Sequence, residues 1–450
     1  MKFKDIEKYL LYSLFLSSLI FFIWQHAIGL SWDFMSYTLN AKYLFSKSWY
    51  FEWYRAPLAP FLIGIFNFLT WKAAEYTFII LVTSIHFFSC KKFAEKYKMN
   101  QLFFYSLSLS PAVFLGGLYA GTELLSLSLL ILCFIYLDYI GLFLALAFLT
   151  RYTNIIFLPL ALFLKKWKKI LKNAIIFIIP ISLWLLYNYF TTGNPLTSIT
   201  NSYALNVKFR SYYIIPFSFY HLFIIGNYLW VFFFIGFYKK VKNLKKIDWM
   251  ILAFMILVIF SYARVPYKEP RYLFNLLFPL AYFGYYSIKN FKYKKIIIII
   301  TFIITIISLF AVASYYQAEK PYIYESSIEK LDNCSIAANS WVHLNYLGRK
   351  AIPPPSKERV DKFIKEGYRL VFFYNNREPD YIFDEEFMST LPTIYKGDRF
   401  IVIGDKNICK EIESVRYDTT YLERLRDKIE FLRNETISIN PKDIIFGSAY

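Results

Sequence analysis

"SWDFMSYTLNAKYLFSKSWYFEWYRAPLAPF" (31–61) directly follows a strongly apolar run at about 9–29. It carries two acids, Asp33 and Glu52, three cations, Lys42, Lys47 and Arg55, and many aromatic residues. A chain that has just crossed a membrane places this mixture at the boundary. "SWD" ahead of a helical pattern has the form of a helix start, and Pro57 and Pro60 resist continuing a helix. The stretch reads as an amphipathic lip at the membrane surface, which "RAPLAP" (55–60) ends by turning the chain back.

The rest of the chain supports a membrane setting. Of 450 residues, 57% are hydrophobic and 18% charged, against roughly a quarter charged in soluble domains. Apolar runs of about 20 residues recur, the length that crosses about 30 Å of hydrocarbon. Such runs have no water-facing side, which excludes a soluble helical core. The net charge of +19 does not imply nucleic acid. The lysines gather between apolar runs, in "KKFAEKYK" (91–98), "KKWKK" (165–169), "KKVKNLKK" (239–246) and "KNFKYKK" (289–295), as they do in cytoplasmic loops. No small-residue cleavage site follows the basic start "MKFKDIEK", so the first run reads as an uncleaved span.

Keeping every basic cluster inside gives about eleven spans. They fall at about 9–29, 74–90, 101–117 and 122–138, then as two short crossings within 139–164 with Arg151 at their outer turn. The rest fall at about 173–191, 214–237, 249–263, 272–288 and 295–314. "PLAPFLIGIFNFLTW" (57–71) reads as an interfacial or re-entrant helix. The expected fold is an all-α polytopic membrane domain, 1–314, with a cytoplasmic N-terminus, and an external α/β domain, 315–450. In the latter, "YRLVFFYN" (368–375) and "DRFIVIGD" (398–405) read as strands. "SKERVDKFIKEG" (356–367) reads as a helix with Ser356 as cap and Gly367 as stop. Cys90 and Cys133 lie in spans and read as packing residues. Cys334 and Cys409 are both external, either paired in an oxidising compartment or free. Asn333-Cys-Ser and Asn434-Glu-Thr fit the glycan acceptor pattern, and "DEE" (384–386) reads as a solvated face.

The external face collects most of the remaining ionisable residues. The first loop offers Asp33, Glu52 and Arg55, "YAGTE" offers Glu123, and "TRYTN" offers Arg151. "NVKFR" adds Lys208 and Arg210, and "ARVPYKEPR" adds Arg264, Lys268, Glu269 and Arg271. Charges beside hydrocarbon usually face a cavity or a partner. Clustered cations bind phosphate through charge-assisted bonds, and a carboxylate among aromatics can act as a general base. A lipid phosphate arriving from the bilayer would lie at this level. Moving a group from it to a hydroxyl needs a base for the acceptor and cations for the departing phosphate. Each residue also has a plainer role. Asp33 and Glu123 could cap helices, Glu52 could pair with Arg55, Arg55 could anchor at the interface, and Glu269 could pair with Arg271.

"WDFMSYTLNAKYL…YFEWYRAPLAPFLIGIF" resembles the first external loop of the GT-C fold polytopic glycosyltransferases, the superfamily of protein O-mannosyltransferases, aminoarabinose transferases and GPI-mannosyltransferases. "LYAGTELLSLSLL" is similar to their second loop, "LALAFLTRYTNIIFLPLAL" to their broken fifth and sixth spans, and "LWLLYNYFTTGNPL" to the end of their seventh. "YKEPRYLFNLLFPLA" looks like their H-K-E-x-R-F element, with Tyr267 in place of His, which leaves the acceptor class open. The resemblance runs from about 10 to 290. It implies a polyprenyl- or dolichyl-phosphate sugar donor, and Asp33 as the catalytic base that follows span one. Many members carry Asp-Glu there; here Phe34 follows Asp33, so no metal pair is implied.

The expected activity is therefore an inverting sugar transfer at the external face of the cell membrane, with Asp33 as base. Glu52, Arg55, Glu123, Arg151, Lys208, Arg210, Lys268, Glu269 and Arg271 are expected to bind substrate. No cofactor, metal or nucleic acid is expected. The partners are the donor lipid, the bilayer, and an acceptor that is a glycan, lipid or protein. A transporter of lipid-linked saccharide would need polar residues at mid-membrane and repeat symmetry, whereas the spans read as almost purely Phe, Ile, Leu and Tyr. An inactive scaffold of the same fold is the third reading.

Overall fold

A computed structural model describes residues 3–203, 217–266, 268–316, 322–375 and 379–411. Lys208, Arg210, Tyr267 and Asn434 lie outside the described residues. Two compact units emerge. One holds the described residues of Met1–Ala27 and Trp53–Gln317, the other those of Ile28–Glu52 and Ala318–Ile437.

Five helices of the first unit are long and apolar enough to cross a membrane: Phe3–Ile28, Trp71–Lys96, Trp167–Thr192, Lys246–Arg264 and Lys294–Tyr315. Two bent pairs join them, Glu123–Ile135 with Leu137–Thr150 at 115° and Phe219–Gly226 with Leu229–Asn243 at 90°. The chain is a multi-pass membrane protein, with five to seven such spans among the described residues against the eleven expected. The difference lies where the backbone breaks. Pro111 lacks an N–H and restarts the chain as Pro111–Gly116 after Gln101–Ser108. Arg151 is extended (φ −150°, ψ 118°) and separates Ile140–Thr150 from the 3-10 segment Tyr152–Leu164. Pro270 opens another 3-10 turn, Pro270–Leu276, before Leu277–Tyr286. At 1.5–2 Å per residue these pieces are each shorter than about 30 Å of hydrocarbon.

Close packing holds the helices together. Leu229–Lys240 lies so near Leu277–Tyr286 that a Cβ on Gly236 would meet the Phe283 carbonyl oxygen at 1.9 Å. Gly141 is pressed equally against Asn173, at 2.0 Å from its carbonyl oxygen. Small residues are what permit such approach in lipid. Phe93, Phe134, Phe157, Phe254, Phe278 and Tyr282 interlock in stacked, tilted and edge-to-face pairs at centroid distances of 4.5–5.8 Å. The interior is less purely apolar than residue counts imply. Buried His86 Nδ1 meets Ser128 Oγ at 3.1 Å and its Nε2 meets Ser108 Oγ at 3.4 Å, while Tyr105 and Ser18 hydroxyls lie 3.1 Å apart. Cys90 and Cys133 are buried and free.

The second unit is a five-stranded mixed sheet with its helices. Strands β1 (Ile336–Ala338), β2 (Ala351–Ile352), β3 (Arg369–Phe373), β4 (Thr393–Lys396) and β5 (Phe400–Ile403) lie in the order β2-β1-β3-β5-β4. β1 pairs in parallel with β2 and β3, and β3 pairs antiparallel with β5, Leu370 opposite Ile403. β3 and β5 occupy the two runs expected to be strands. Both are buried along their whole length, so they read as continuous rather than alternating apolar runs. The expected helix at 356–367 forms as Lys357–Arg359 and Val360–Lys365, and Gly367 (φ +87°) stops it. A Cβ there would meet the Lys410 backbone nitrogen at 2.6 Å. Asp384 caps Glu385–Ser389 and pairs with Lys357 at 2.7 Å.

Ile28–Glu52 belongs to this second unit, and the amphipathic lip is corrected accordingly. Trp32–Ser46 is helical, but residues 34–41 are buried without interruption because the helix packs on Trp341–Tyr346. It ends at Lys47, whose left-handed backbone (φ 51°, ψ 41°) returns its N–H to the Lys42 and Tyr43 carbonyls. "RAPLAP" therefore does not end it. Pro57 instead starts Leu58–Gly64.

Cys334 and Cys409 form a disulfide across 75 residues, beside Arg369, which donates to the Asp405 and Ile408 carbonyls at 2.8 and 2.9 Å. Alkylation of the denatured, unreduced protein is expected to label only Cys90 and Cys133. Replacing Cys409 with Ser is expected to cost the sheet-containing unit about 4 kcal/mol in denaturant unfolding.

Candidate functional site

Asp33 sits in the first turn of Trp32–Ser46, half-buried. It is not the cap. Ser31, with extended backbone (φ −78°, ψ 155°), accepts the Phe34 N–H at 3.1 Å through Oγ. The cap role is thus met one turn-edge earlier, and the Asp33 carboxylate lies within the positive end of the helix. Glu52 is wholly buried, and the Tyr50 hydroxyl donates to its carboxylate. Asn40 clasps the Glu52 backbone from both sides, accepting its N–H at 2.8 Å and donating to its carbonyl at 3.0 Å. The irregular return of the loop is thereby tied to the helix that carries Asp33.

The membrane unit gathers three more of the expected residues. Glu123 starts the helix Glu123–Ile135 and is 2% exposed. Its Oε1 receives Arg151 Nη1 at 2.5 Å, while the Thr122 N–H and hydroxyl approach Oε2 at 3.3 and 3.4 Å. Arg151 is therefore fixed by its break between two helical pieces and by a buried carboxylate. A guanidinium has five N–H donors, and this pair engages one nitrogen. Tyr152, the next residue, donates to the Arg55 carbonyl at 3.4 Å and accepts from Trp184 Nε1 at 2.9 Å. The Arg55 guanidinium lies 5.1 Å from the Tyr54 ring centroid. Tyr152 thus ties the backbone of Arg55 to the turn that carries Arg151 and its partner Glu123.

The fifth loop forms a second group. Glu269 precedes the 3-10 turn Pro270–Leu276 and pairs with Arg271. That turn packs on Glu123–Ile135, the helix that Glu123 begins. Lys268 is 8% exposed, and its ammonium donates to the Val265 carbonyl at 2.9 Å. Burial holds its pKa below the usual lysine range. No carboxylate pairs with Lys268 among the described residues. A buried ammonium with one of three donors engaged is suited to an incoming anion.

Two buried acids were not among the expected residues. Glu75 pairs with His26 at 2.9 Å, at the junction of the first two long helices. An acid inside an expected span is a functional candidate in itself, and that was the available signal. Asp248 accepts from Tyr282 and from the Lys245 N–H, each at 2.5 Å, and pairs with Lys240 at 3.0 Å. It follows the lysines of 239–246 by two residues, which masked it. Among the described residues no group of three His, Cys, Asp or Glu side chains is placed to hold a metal ion.

No family model matches the chain, and no curated protein matches it. Solved structures do. ArnT from Cupriavidus metallidurans bound to undecaprenyl phosphate is similar with a TM-score of 0.66 at 10% identity, over 87% of this chain and 97% of that one. The same protein in the apo state gives 0.63 at 10% identity over the same shares. The likeness is thus shown at the level of fold: a mostly helical chain with several apolar span candidates and a small C-terminal sheet, similar to ArnT.

Proposed function

We propose that the chain is a membrane glycosyltransferase that moves a sugar from a polyprenyl-phosphate donor to an acceptor hydroxyl. The observation that carries this reading is the fold shared, over 87% of the chain, with an ArnT bound to undecaprenyl phosphate. The reaction takes place at the external face of the cell membrane, with the N-terminus cytoplasmic and the sheet domain external. Asp33 takes the proton of the acceptor hydroxyl as that oxygen attacks the anomeric carbon. The bond from that carbon to the phosphate oxygen breaks on the opposite side, so the configuration inverts. The phosphate leaves as a stable anion and needs cations rather than a strong acid. Lys268 and Arg271 of the fifth loop, with Arg151 and Arg55, supply them, and Lys208 and Arg210 join from the fourth loop. Glu123 and Glu269 aim the arginines they pair with, and Glu52 supports the loop that carries Asp33.

The buried ammonium of Lys268 supports the donor assignment. Burial disfavours its charge, so an arriving phosphate gains a charge-assisted partner that water has already been stripped from. Lys268→Ala is expected to raise the donor KM about 10- to 100-fold, with the acceptor KM unchanged. Steady-state transfer from undecaprenyl- and dolichyl-phosphate sugars in liposomes reads both. In the same assay Asp33→Asn, expressed at the normal level, is expected to lower kcat by about 10²- to 10⁴-fold. An undiminished rate would remove Asp33 as the base.

A further inference from the structure

Among the described residues, the buried side-chain atoms of the second unit that lack hydrogen-bond partners include Ser36 Oγ, Ser340 Oγ and Trp341 Nε1. Such atoms are uncommon in folded proteins, and each is costly. These three lie on two helices that pack on each other. Ser36 lies three residues after Asp33 and four after Trp32, so it is a surface neighbour of each along the helix. Ser340 and Trp341 begin the helix Trp341–Tyr346, which packs on that same helix. Trp32 and Trp341 meet edge to face with centroids 4.6 Å apart, and His343 lies 5.6 Å from Trp32. Both indoles are only half-buried, while Ser36 and Ser340 are 0% and 1% exposed.

The combination has a chemical reading. Two hydroxyls give and accept hydrogen bonds, an indole N–H donates, and two indole rings offer apolar faces. A saccharide is the ligand class that presents hydroxyls around its rim and C–H groups on its faces. We propose that Ser36, Ser340, Trp32 and Trp341 form a saccharide subsite in the external unit, one residue away in the chain from Asp33. The acceptor would then be a glycan, bound through its ring while one of its hydroxyls is presented for transfer. This inference rests on the glycosyltransferase reading for its acceptor role, but its binding chemistry is tested separately.

The test uses the full chain in nanodiscs and saturation-transfer NMR with the methyl glycosides of glucose, mannose, galactose, rhamnose and N-acetylglucosamine. At least one glycoside is expected to bind, and Trp341→Phe, which keeps the ring and removes the N–H, is expected to weaken it about tenfold. Ser340→Ala and Ser36→Ala provide variants that change little volume and are expected to weaken the same glycoside severalfold. No binding by any member, or unchanged binding in all three variants, overturns the subsite. Asp33→Asn separates the two claims. Glycoside binding retained with transfer lost supports both. Binding retained with transfer intact leaves the subsite and removes the base. Binding absent from both proteins while Asp33→Asn loses transfer leaves the base and removes the subsite.

Discussion

In the sheet-containing unit the site rests on one contact, the packing of Trp32–Ser46 against Trp341–Tyr346. A helix buried from Phe34 to Ala41 cannot stand alone in water. It carries Ser36, Thr38 and Asn40 among its buried residues, so its propensity for the membrane surface is no better. Its stability comes from tertiary burial, as for most helices of this length. The same burial orients Asp33. With Ser31 capping the helix and Asn40 holding the returning chain at Glu52, the first turn has little freedom left.

In the membrane unit the constraint is electrostatic. Charges at the edge of hydrocarbon are costly alone, and the described ones come with partners: Arg151 with Glu123, Arg271 with Glu269, Glu75 with His26, Asp248 with Lys240. Such pairs keep the loops in register. Arg151 and Glu123 join turns 28 residues apart, and Tyr152 extends that link to the backbone of Arg55. Lys268 is the contrast. Its ammonium rests on a carbonyl dipole, which satisfies a hydrogen bond without neutralising a charge.

Much of the membrane architecture was legible because hydrocarbon imposes length and polarity on every crossing. Trp167–Thr192 and Lys294–Tyr315 could be read directly, and even the break at Arg151 stood out as a cation between two short apolar runs. The count of spans was less legible, since Pro111 and Pro270 divide segments whose composition alone looks continuous. In the second unit β3 and β5 were visible as eight-residue runs. β1 and β2 were not, because three- and two-residue strands leave no period to detect. The lip was misread for a different reason: periodicity describes a helix but is silent about what covers it. For the site, residue types and loop positions marked Glu123, Arg151, Glu269 and Arg271, whereas their partners became known only from distances. Tyr152 had no signal beyond its place beside Arg151.

The pairing of a loop near the start of the chain with a domain near its end sets an order on biosynthesis. Trp32–Ser46 leaves the ribosome about 300 residues before the helix it packs on, an interval of roughly 15–60 s at 5–20 residues per second. Throughout that time its buried face has no native partner, and every intervening segment must be synthesised before one arrives. The disulfide imposes the same rule on a smaller scale, since Cys334 must wait for Cys409. Folding of the sheet-containing unit is therefore a late event that waits on synthesis of the whole helical unit between its two parts.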